Sequence, residues 1–463
     1  SAAALLAAHA GAVVSGCDPG GSSPYTSALA AAEIPLAWQH SADHVVGPAG
    51  AKVERLAVSK ALTAIDPDNA ELAAARRLAI RAEPWQQVVA DACATAGQAL
   101  VAVAGTHGKS TTTGWLVHLL VTAGRDPSAF VGALLEPALA GGRPATARWG
   151  RGDQFVVEAD EYAGNFDPYR PDVALLLNVE WDHPDVFADR AAVVDAFATW
   201  LRRAEQPARP TLVANVGDAG AAEVVDRLAG WSGRVLDVAL DGGEAAISAT
   251  IERLDAAGSE LRVRRRGEAD AVFPIGLVGR HNAANALLVV GAAQVMGIDD
   301  GALRRSLATF SGVGRRLELK GDTAGVAVLD DYGHHPTAIA RTLEAVRQRY
   351  PGRRLWAVYE PLTYHRTAVM LEPFAEALAG ADAVAVADIW AGRDPDTSIT
   401  SSAALAAAVA ARGRPAVAAG SVEATAEYLA RAVESGDVVL VMGGGRSYVI
   451  AERLVALLGG AAR

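Results

Sequence analysis

The residues Gly105-Thr106-His107-Gly108-Lys109-Ser110 carry the strongest chemical signal in the sequence. They follow an apolar run, Ala99 to Ala104, and precede a stretch with helical pattern, about Thr111 to Ala123, closed by Gly124. A glycine-rich turn between a buried strand and a helix points backbone N–H groups at one spot, and the helix dipole adds positive potential there. Lys109 supplies a compact charge, and the hydroxyl of Ser110 or Thr111 can hold Mg²⁺. The chemistry expected of this loop is phosphate binding. The full pattern G-x-x-x-x-G-K-[ST] is not met, because Val103 stands where its first glycine would be.

Four further segments carry polar residues to strand or helix ends. Val156-Val157 runs into Glu158-Ala159-Asp160-Glu161, and one or two of these acids are expected to hold metal, since Mg²⁺ takes oxygen ligands. Leu175-Leu176-Leu177 runs into Asn178-Val179-Glu180-Trp181-Asp182-His183, where His183 is a candidate metal or phosphate ligand. Gly279-Arg280-His281-Asn282-Ala283-Ala284-Asn285 reads either as a capped helix start or as a purine contact, because Asn offers both a donor and an acceptor. Gly314-Arg315-Arg316-Leu317-Glu318 offers arginines that can reach a phosphoryl group, and Asp330-Asp331-Tyr332-Gly333-His334-His335-Pro336 is too polar for filler and suggests substrate contact. Each has a plainer alternative: a solvated acidic turn, a structural histidine, an ordinary cap.

The elements that must position these residues follow an α/β pattern. With 463 residues, about three domains are expected at roughly 150 residues each. The expected divisions are 1–97, 98–312 and 313–463. The first block reads as a helix, Ala2 to His9, then a strand, Ala12 to Ser15, leading to Cys17-Asp18. That is how the second strand of a dinucleotide-type fold ends, so the first strand and its glycine loop are expected upstream of Ser1. In the middle block, strands are expected at 99–104, 154–157 and 173–177, with an antiparallel hairpin from 246–251 and 260–264. The run Arg264-Arg265-Arg266 reads as a solvated strand end. The third block alternates strands (326–329, 355–359, 383–387, 438–442) with helices such as 336–350 and 371–378. That alternation means a mostly parallel sheet covered on both faces.

Composition narrows the function. Hydrophobic residues make up 51% and charged residues 21%, which supports packed cores and excludes a disordered chain. A net charge of −11 argues against nucleic-acid binding. The 2 cysteines, Cys17 and Cys93, are too few for a disulfide scaffold or a cysteine-based zinc site and fit a reducing cytoplasm. No apolar run reaches the length of a membrane span.

Taken in order, Gly105 to Thr112, Glu158 to Glu161, Asn178 to His183, Gly279 to Asn285, Arg315 to Glu318 and Asp330 to Thr337 together resemble the Mur ligases. The strings G-T-H-G-K and D-D-Y-G-H-H-P-T are most similar to the branch that adds L-alanine to UDP-N-acetylmuramate. The resemblance implies a Rossmann-like UDP-sugar domain, a central P-loop-type ATPase domain with a mostly parallel sheet, and a Rossmann-like C-terminal domain that closes over ATP. It implies ATP-dependent amide formation through an acyl phosphate, in peptidoglycan precursor synthesis. It also implies roles. Lys109, with Gly105, Thr106, His107, Gly108, Ser110 and Thr111, would cradle the phosphates. Ser110, Glu161 and His183 would hold Mg²⁺. Arg316 would reach the γ-phosphate, His281, Asn282 and Asn285 the adenine, and Asp331 the ribose. Tyr332, His334 and Arg366 would line the amino-acid end, and Asp18 the UDP-sugar.

Some positions depart from the family. Ser110 stands where threonine is usual, and no lysine lies between Lys109 and Lys320 to serve as a carbamylated metal-side residue. The Q-P-H-T-Y-S-R-T-like string reads Glu360-Pro361-Leu362-Thr363-Tyr364-His365-Arg366-Thr367. The competing readings are a ligase that recycles a peptide onto the same sugar nucleotide, a P-loop ATPase that is not a ligase, and a non-catalytic homologue.

Overall fold

A computed structural model describes residues 1–46, 53–203, 209–392, 394 and 396–461. The chain divides into two compact units. One comprises residues 1–179, 191–238 and 288–306, and the other residues 180–190, 239–287 and 307–463.

The first unit opens with the helix Ala2–His9, as its alanine-rich sequence predicts. The strand expected at 12–15 does not form; Val13 is fully exposed, and pairing is confined to β1 (Gly16–Cys17) and β2 (Leu36–Ala37). A second short parallel pair joins β3 (Arg55–Val58) and β4 (Arg81–Pro84). The central sheet of this unit uses β5 (Ala99–Ala104), β6 (Ser128–Leu135), β7 (Ala145–Arg148), β8 (Gln154–Ala159), β9 (Val173–Leu176), β10 (Thr211–Asn215) and β11 (Arg234–Leu240), in the order β11-β10-β9-β5-β8-β6-β7. All neighbours are parallel except β6 and β7. Strand β5, buried from Leu100 to Ala104, is the continuous apolar run that a two-sided parallel strand requires. Its position between β8 and β9 brings the ends of those strands beside the loop that follows β5.

The second unit contains an antiparallel meander, β12 (Ile247–Asp255), β13 (Gly258–Arg265) and β14 (Ala271–Ile275). The first turn needs glycine: Gly258 has φ +124°, and a β-carbon there would lie 2.1 Å from the Ile275 carbonyl. Arg265 departs from the solvated reading. Its guanidinium sits 5.6 Å from the Phe273 ring centroid, so its stem is packed while Arg264 and Arg266 stay exposed.

The unit's main sheet contains β15 (Glu318–Thr323), β16 (Val326–Asp331), β17 (Leu355–Glu360), β18 (Ala383–Ala387), β19 (Ala416–Gly420) and β20 (Val438–Gly443), in the order β15-β16-β20-β17-β18-β19. Only β15 is antiparallel. Alternate residues feed two cores. Leu329, Ala357, Tyr359 and Leu440 face the helices Pro336–Arg349, Leu371–Leu378 and Ser402–Ala410. Val328, Trp356, Val358 and Val439 face Val422–Ala432 and Ser447–Ala461. Helices on both faces are what the strand–helix alternation predicts. Strands β15 and β19 escape sequence reading: one is an exposed polar edge, and the other is Ala-Val-Ala-Ala-Gly without β-branched density. Among the described residues no helix is long and apolar enough to cross a membrane.

Candidate active site

In the first unit the phosphate-type loop lies between β5 and the helix Lys109–Thr122. Gly105 adopts φ +140°, and a β-carbon there would lie 2.9 Å from Leu177 Cβ, so the loop touches the end of β9 closely. Asn178 then clamps it. Its Oδ1 accepts from His107 N–H at 2.8 Å, its Nδ2 donates to the His107 carbonyl at 3.0 Å, and its own carbonyl accepts from Thr106 N–H at 3.0 Å. Gly108, at φ +83°, is the N-cap of the helix. The N–H groups of a helix's first turn have no intrahelical acceptor and are oriented for an anion.

Lys109 Nζ donates to Glu161 Oε2 at 2.7 Å and to the Gly105 carbonyl at 2.7 Å, and lies 3.5 Å from Asp160 Oδ1. Burial alone would lower its pKa, but Glu161, Asp160 and Glu158 outweigh that and hold the ammonium above the ordinary lysine value. Glu161 is 1% exposed, and its Oε1 is buried with no hydrogen-bond partner. Ser110 Oγ donates to Glu158 Oε1 at 3.1 Å, while Glu158 Oε2 accepts from Gly132 N–H at 2.7 Å. A β-carbon at Gly132 would fall 2.6 Å from the Glu158 carboxylate, so any larger residue there would have to displace that carboxylate. This corner therefore gathers a cation, a hydroxyl and carboxylates around a glycine turn of the kind that can bind an anion. Sequence reading includes Glu158 among the acids but assigns no role to Asn178; a polar residue at the end of a central strand was the available signal.

In the second unit the end of β16 organises another cluster. Arg315 is the buried member of the arginine pair. Its Nε donates to Asp330 Oδ2 at 3.1 Å, and its Nη2 donates to the Gly443 carbonyl at 2.9 Å and to Ser447 Oγ at 2.8 Å. Its guanidinium also lies 5.2 Å from the ring centroids of both Tyr332 and Tyr448. Burial pushes the Asp330 carboxyl up to about 6 against the pull of Arg315. Arg316 stands over the other part of this cluster, 5.2 Å from the Tyr332 ring centroid. Asp331 accepts backbone N–H from Leu317 at 2.9 Å and Gly333 at 2.7 Å, tying the arginine segment to its own turn. Burial nonetheless raises the Asp331 pKa. The ring of His334 meets Tyr332 edge-on at 5.2 Å, and His334 Nδ1 is 2.9 Å from the Tyr332 carbonyl.

Arg366 and Asp182 form a buried ion pair. Asp182 Oδ1 also accepts the His183 N–H at 2.6 Å, so one carboxylate links these two candidates. Sequence reading places Asp182 in the 178–183 segment but assigns it no role of its own. Glu360 accepts from the backbone N–H groups of Arg446 and Ser447, and burial raises its pKa. His281, Asn282 and Asn285 begin the helix Arg280–Met296. Burial pushes the His281 imidazolium down to about 4. Asn282 Nδ2 donates to the Val278 carbonyl at 2.8 Å, and its Oδ1 accepts from Asn285 at 3.3 Å. Asp18 closes its own exposed turn by accepting from Gly20 N–H at 2.8 Å.

Three family descriptions match successive parts of the chain. Residues 1–96 match the description "Mur ligase family, catalytic domain", residues 103–293 "Mur ligase middle domain", and residues 315–445 "Mur ligase, glutamate ligase domain". The UDP-N-acetylmuramate–L-alanine ligase of Frankia casuarinae is 37% identical over 416 residues, covering 83% of this chain and 80% of that protein. The ligase of the same name from Nostoc punctiforme is 35% identical over 402 residues, covering 85% and 79%. Among solved structures, UDP-N-acetylmuramate–alanine ligase of Thermotoga maritima shares the fold with a TM-score of 0.80 at 22% identity, covering 99% of this chain and 96% of its own. A murein peptide ligase from Psychrobacter arcticus gives 0.73 at 24% identity, with the same coverage. The chain belongs to the Mur ligase family.

Proposed function

We propose that this chain is an ATP-dependent ligase that joins L-alanine to UDP-N-acetylmuramate through an acyl phosphate, in peptidoglycan precursor synthesis. The observation that carries the reading is the corner built by Lys109, Glu161, Ser110 and Glu158 on a clamped glycine turn, in a chain that spans about four-fifths of relatives bearing that activity in their names. A carboxylate attacking a polyanion requires neutralisation of charge, which Lys109 supplies at the phosphate turn. The amine then captures the acyl carbon and expels phosphate.

The donors at this corner fit Mg²⁺, because they are hard oxygens and one of them, Glu161 Oε1, is buried without a partner. Ser110, Glu158 and Glu161 would hold the ion, with His183 a further ligand by family resemblance. Bound there, it would neutralise phosphate charge. By the same resemblance we assign Arg316 to the γ-phosphate, His281, Asn282, Asn285 and Asp331 to the nucleoside, and Tyr332, His334 and Arg366 to the amino acid. Arg366 can offer a substrate carboxylate the rest of a fork that Asp182 already orients. Asp18 is assigned to the UDP-sugar. The domain divisions proposed are 1–97, 98–312 and 313–463. The reaction draws on ATP and a nucleotide sugar, so the cytoplasm is its proposed location, with neither nucleic acid nor membrane as partner.

The test is phosphate release from Mg-ATP and UDP-N-acetylmuramate with L-alanine, glycine, L-serine or a tripeptide, with products identified by mass spectrometry. Turnover strongest with L-alanine supports the reading. Turnover with tripeptide alone favours the recycling ligase, and phosphate release without any sugar nucleotide favours a plain ATPase.

A further inference from the structure

A second cluster of ligand-type side chains lies in the N-terminal segment, and its case does not depend on the ligase reading. Cys17 ends β1, His40 and His44 follow β2, and Glu71 sits in the first turn of the helix Ala70–Leu78. Cys17 Sγ lies 3.0 and 3.2 Å from the two Glu71 carboxylate oxygens and 3.3 Å from His40 Nδ1. His40 Nδ1 is 3.4 Å from Glu71 Oε2, and His44 Nδ1 is 2.6 Å from Glu71 Oε1. The ligand atoms of Cys17, His44 and Glu71 all fall within 4.8 Å of one another. Glu71 is buried, while the cysteine and both histidines are partly exposed, so an ion can enter from solvent.

One sulfur, two imidazole nitrogens and a carboxylate make a tetrahedral, borderline-soft donor set, which suits zinc better than Mg²⁺ or Ca²⁺. Zn–N near 2.0 Å and Zn–S near 2.3 Å give ligand–ligand edges of about 3.3–3.6 Å. The separations among Cys17, His40 and Glu71 already lie within a few tenths of an ångström of that, and the 2.6 Å contact of His44 with Glu71 has to open. The surroundings also call for a fastening. β1 and β2 pair over 2 residues each, and among the described residues the nearby core has Val45, Ala74 and Ala75 as its buried members. Small cores of this kind gain most from a metal tie.

We propose that Cys17, His40, His44 and Glu71 form a structural zinc site that ties β1 and the turn after β2 to the helix Ala70–Leu78. On coordination the Cys17 thiol releases its proton to solvent, and each imidazole binds as the neutral ring through Nδ1. Two cysteines do exclude an all-cysteine site, but a mixed set needs only one, and the His40-x-x-x-His44 spacing was a usable sequence signal.

The test is titration of the full, metal-stripped chain with Co²⁺ in the absence of nucleotide. The expected result is one equivalent bound with a thiolate-to-cobalt charge-transfer band and the visible bands of tetrahedral coordination. Cys17→Ser and His44→Ala should lose the charge-transfer band or the tetrahedral intensity, while Cys93→Ser keeps both. The phosphate loop has no thiolate, so cobalt bound there cannot produce the charge-transfer band. In the unsubstituted chain, equimolar Zn²⁺ should slow alkylation of Cys17 by about tenfold or more, because a metal-bound thiolate is no longer a free nucleophile. That measurement needs no variant to fold. Absence of the charge-transfer band, its persistence in Cys17→Ser, or unchanged alkylation with zinc would each overturn the proposal.

Discussion

Replacing Lys109 by methionine keeps most of the side-chain length and removes the charge. Glu161, 1% exposed and 2.7 Å from the ammonium, is then left as a buried carboxylate without its cation. Breaking one side of a buried ion pair costs about 3–5 kcal/mol, and the neighbouring Asp160 and Glu158 carboxylates add repulsion, which favours a value near 4. At about 2–4 °C per kcal/mol for a domain of this size, the melting temperature should fall by roughly 8–16 °C. Turnover should fall by at least about 10²–10³, the usual effect of removing one preorganised charge or donor from a transition state. The double variant Lys109→Met with Glu161→Gln should recover much of the lost stability, since no uncompensated charge remains, and should stay inactive. The assays are thermal unfolding without ligand and phosphate release with saturating L-alanine. If Lys109→Met melts with the wild type, or turns over within tenfold of it, the assigned role of this pair is wrong.

Three other perturbations probe the same geometry. In Gly132→Ala the new β-carbon would press on the flexible end of Glu158, so stability should change by less than about 1 kcal/mol while the Mg²⁺ concentration needed for half-maximal turnover rises several-fold; an unchanged Mg²⁺ dependence would count against Glu158 as a ligand. Asn178→Ala removes two hydrogen bonds to His107, about 1–3 kcal/mol in total, and should raise KM for ATP more than it lowers kcat, as read from initial rates. For His281 the folded-state pKa of about 4 lies below the ordinary histidine value, so the unfolded chain binds the extra proton first and stability falls as pH drops from about 6.5 to 4. Denaturant titrations across that range should show the loss, on the order of 3 kcal/mol at most, and His281→Gln should flatten it.

The sequence by itself determined the parallel α/β architecture, because strands buried on both faces must be continuous apolar runs, as β5, β16 and β20 are. It also marked the loop at 105–110, because glycine, lysine and a hydroxyl at that spacing have few other uses. It did not determine the partnerships that set the site's electrostatics. That Arg315 is locked by Asp330, Gly443 and Ser447, that Asn178 clamps the loop at 105–110, and that Asp182 joins His183 to Arg366 are facts of strand order and register. The same holds for Cys17, His40, His44 and Glu71, which lie up to 54 positions apart along the chain. Local pattern fixes which way one strand or helix faces. Which distant residues share a few ångströms is decided by how the elements pack, and burial there sets whether each charge is screened, paired or shifted in pKa.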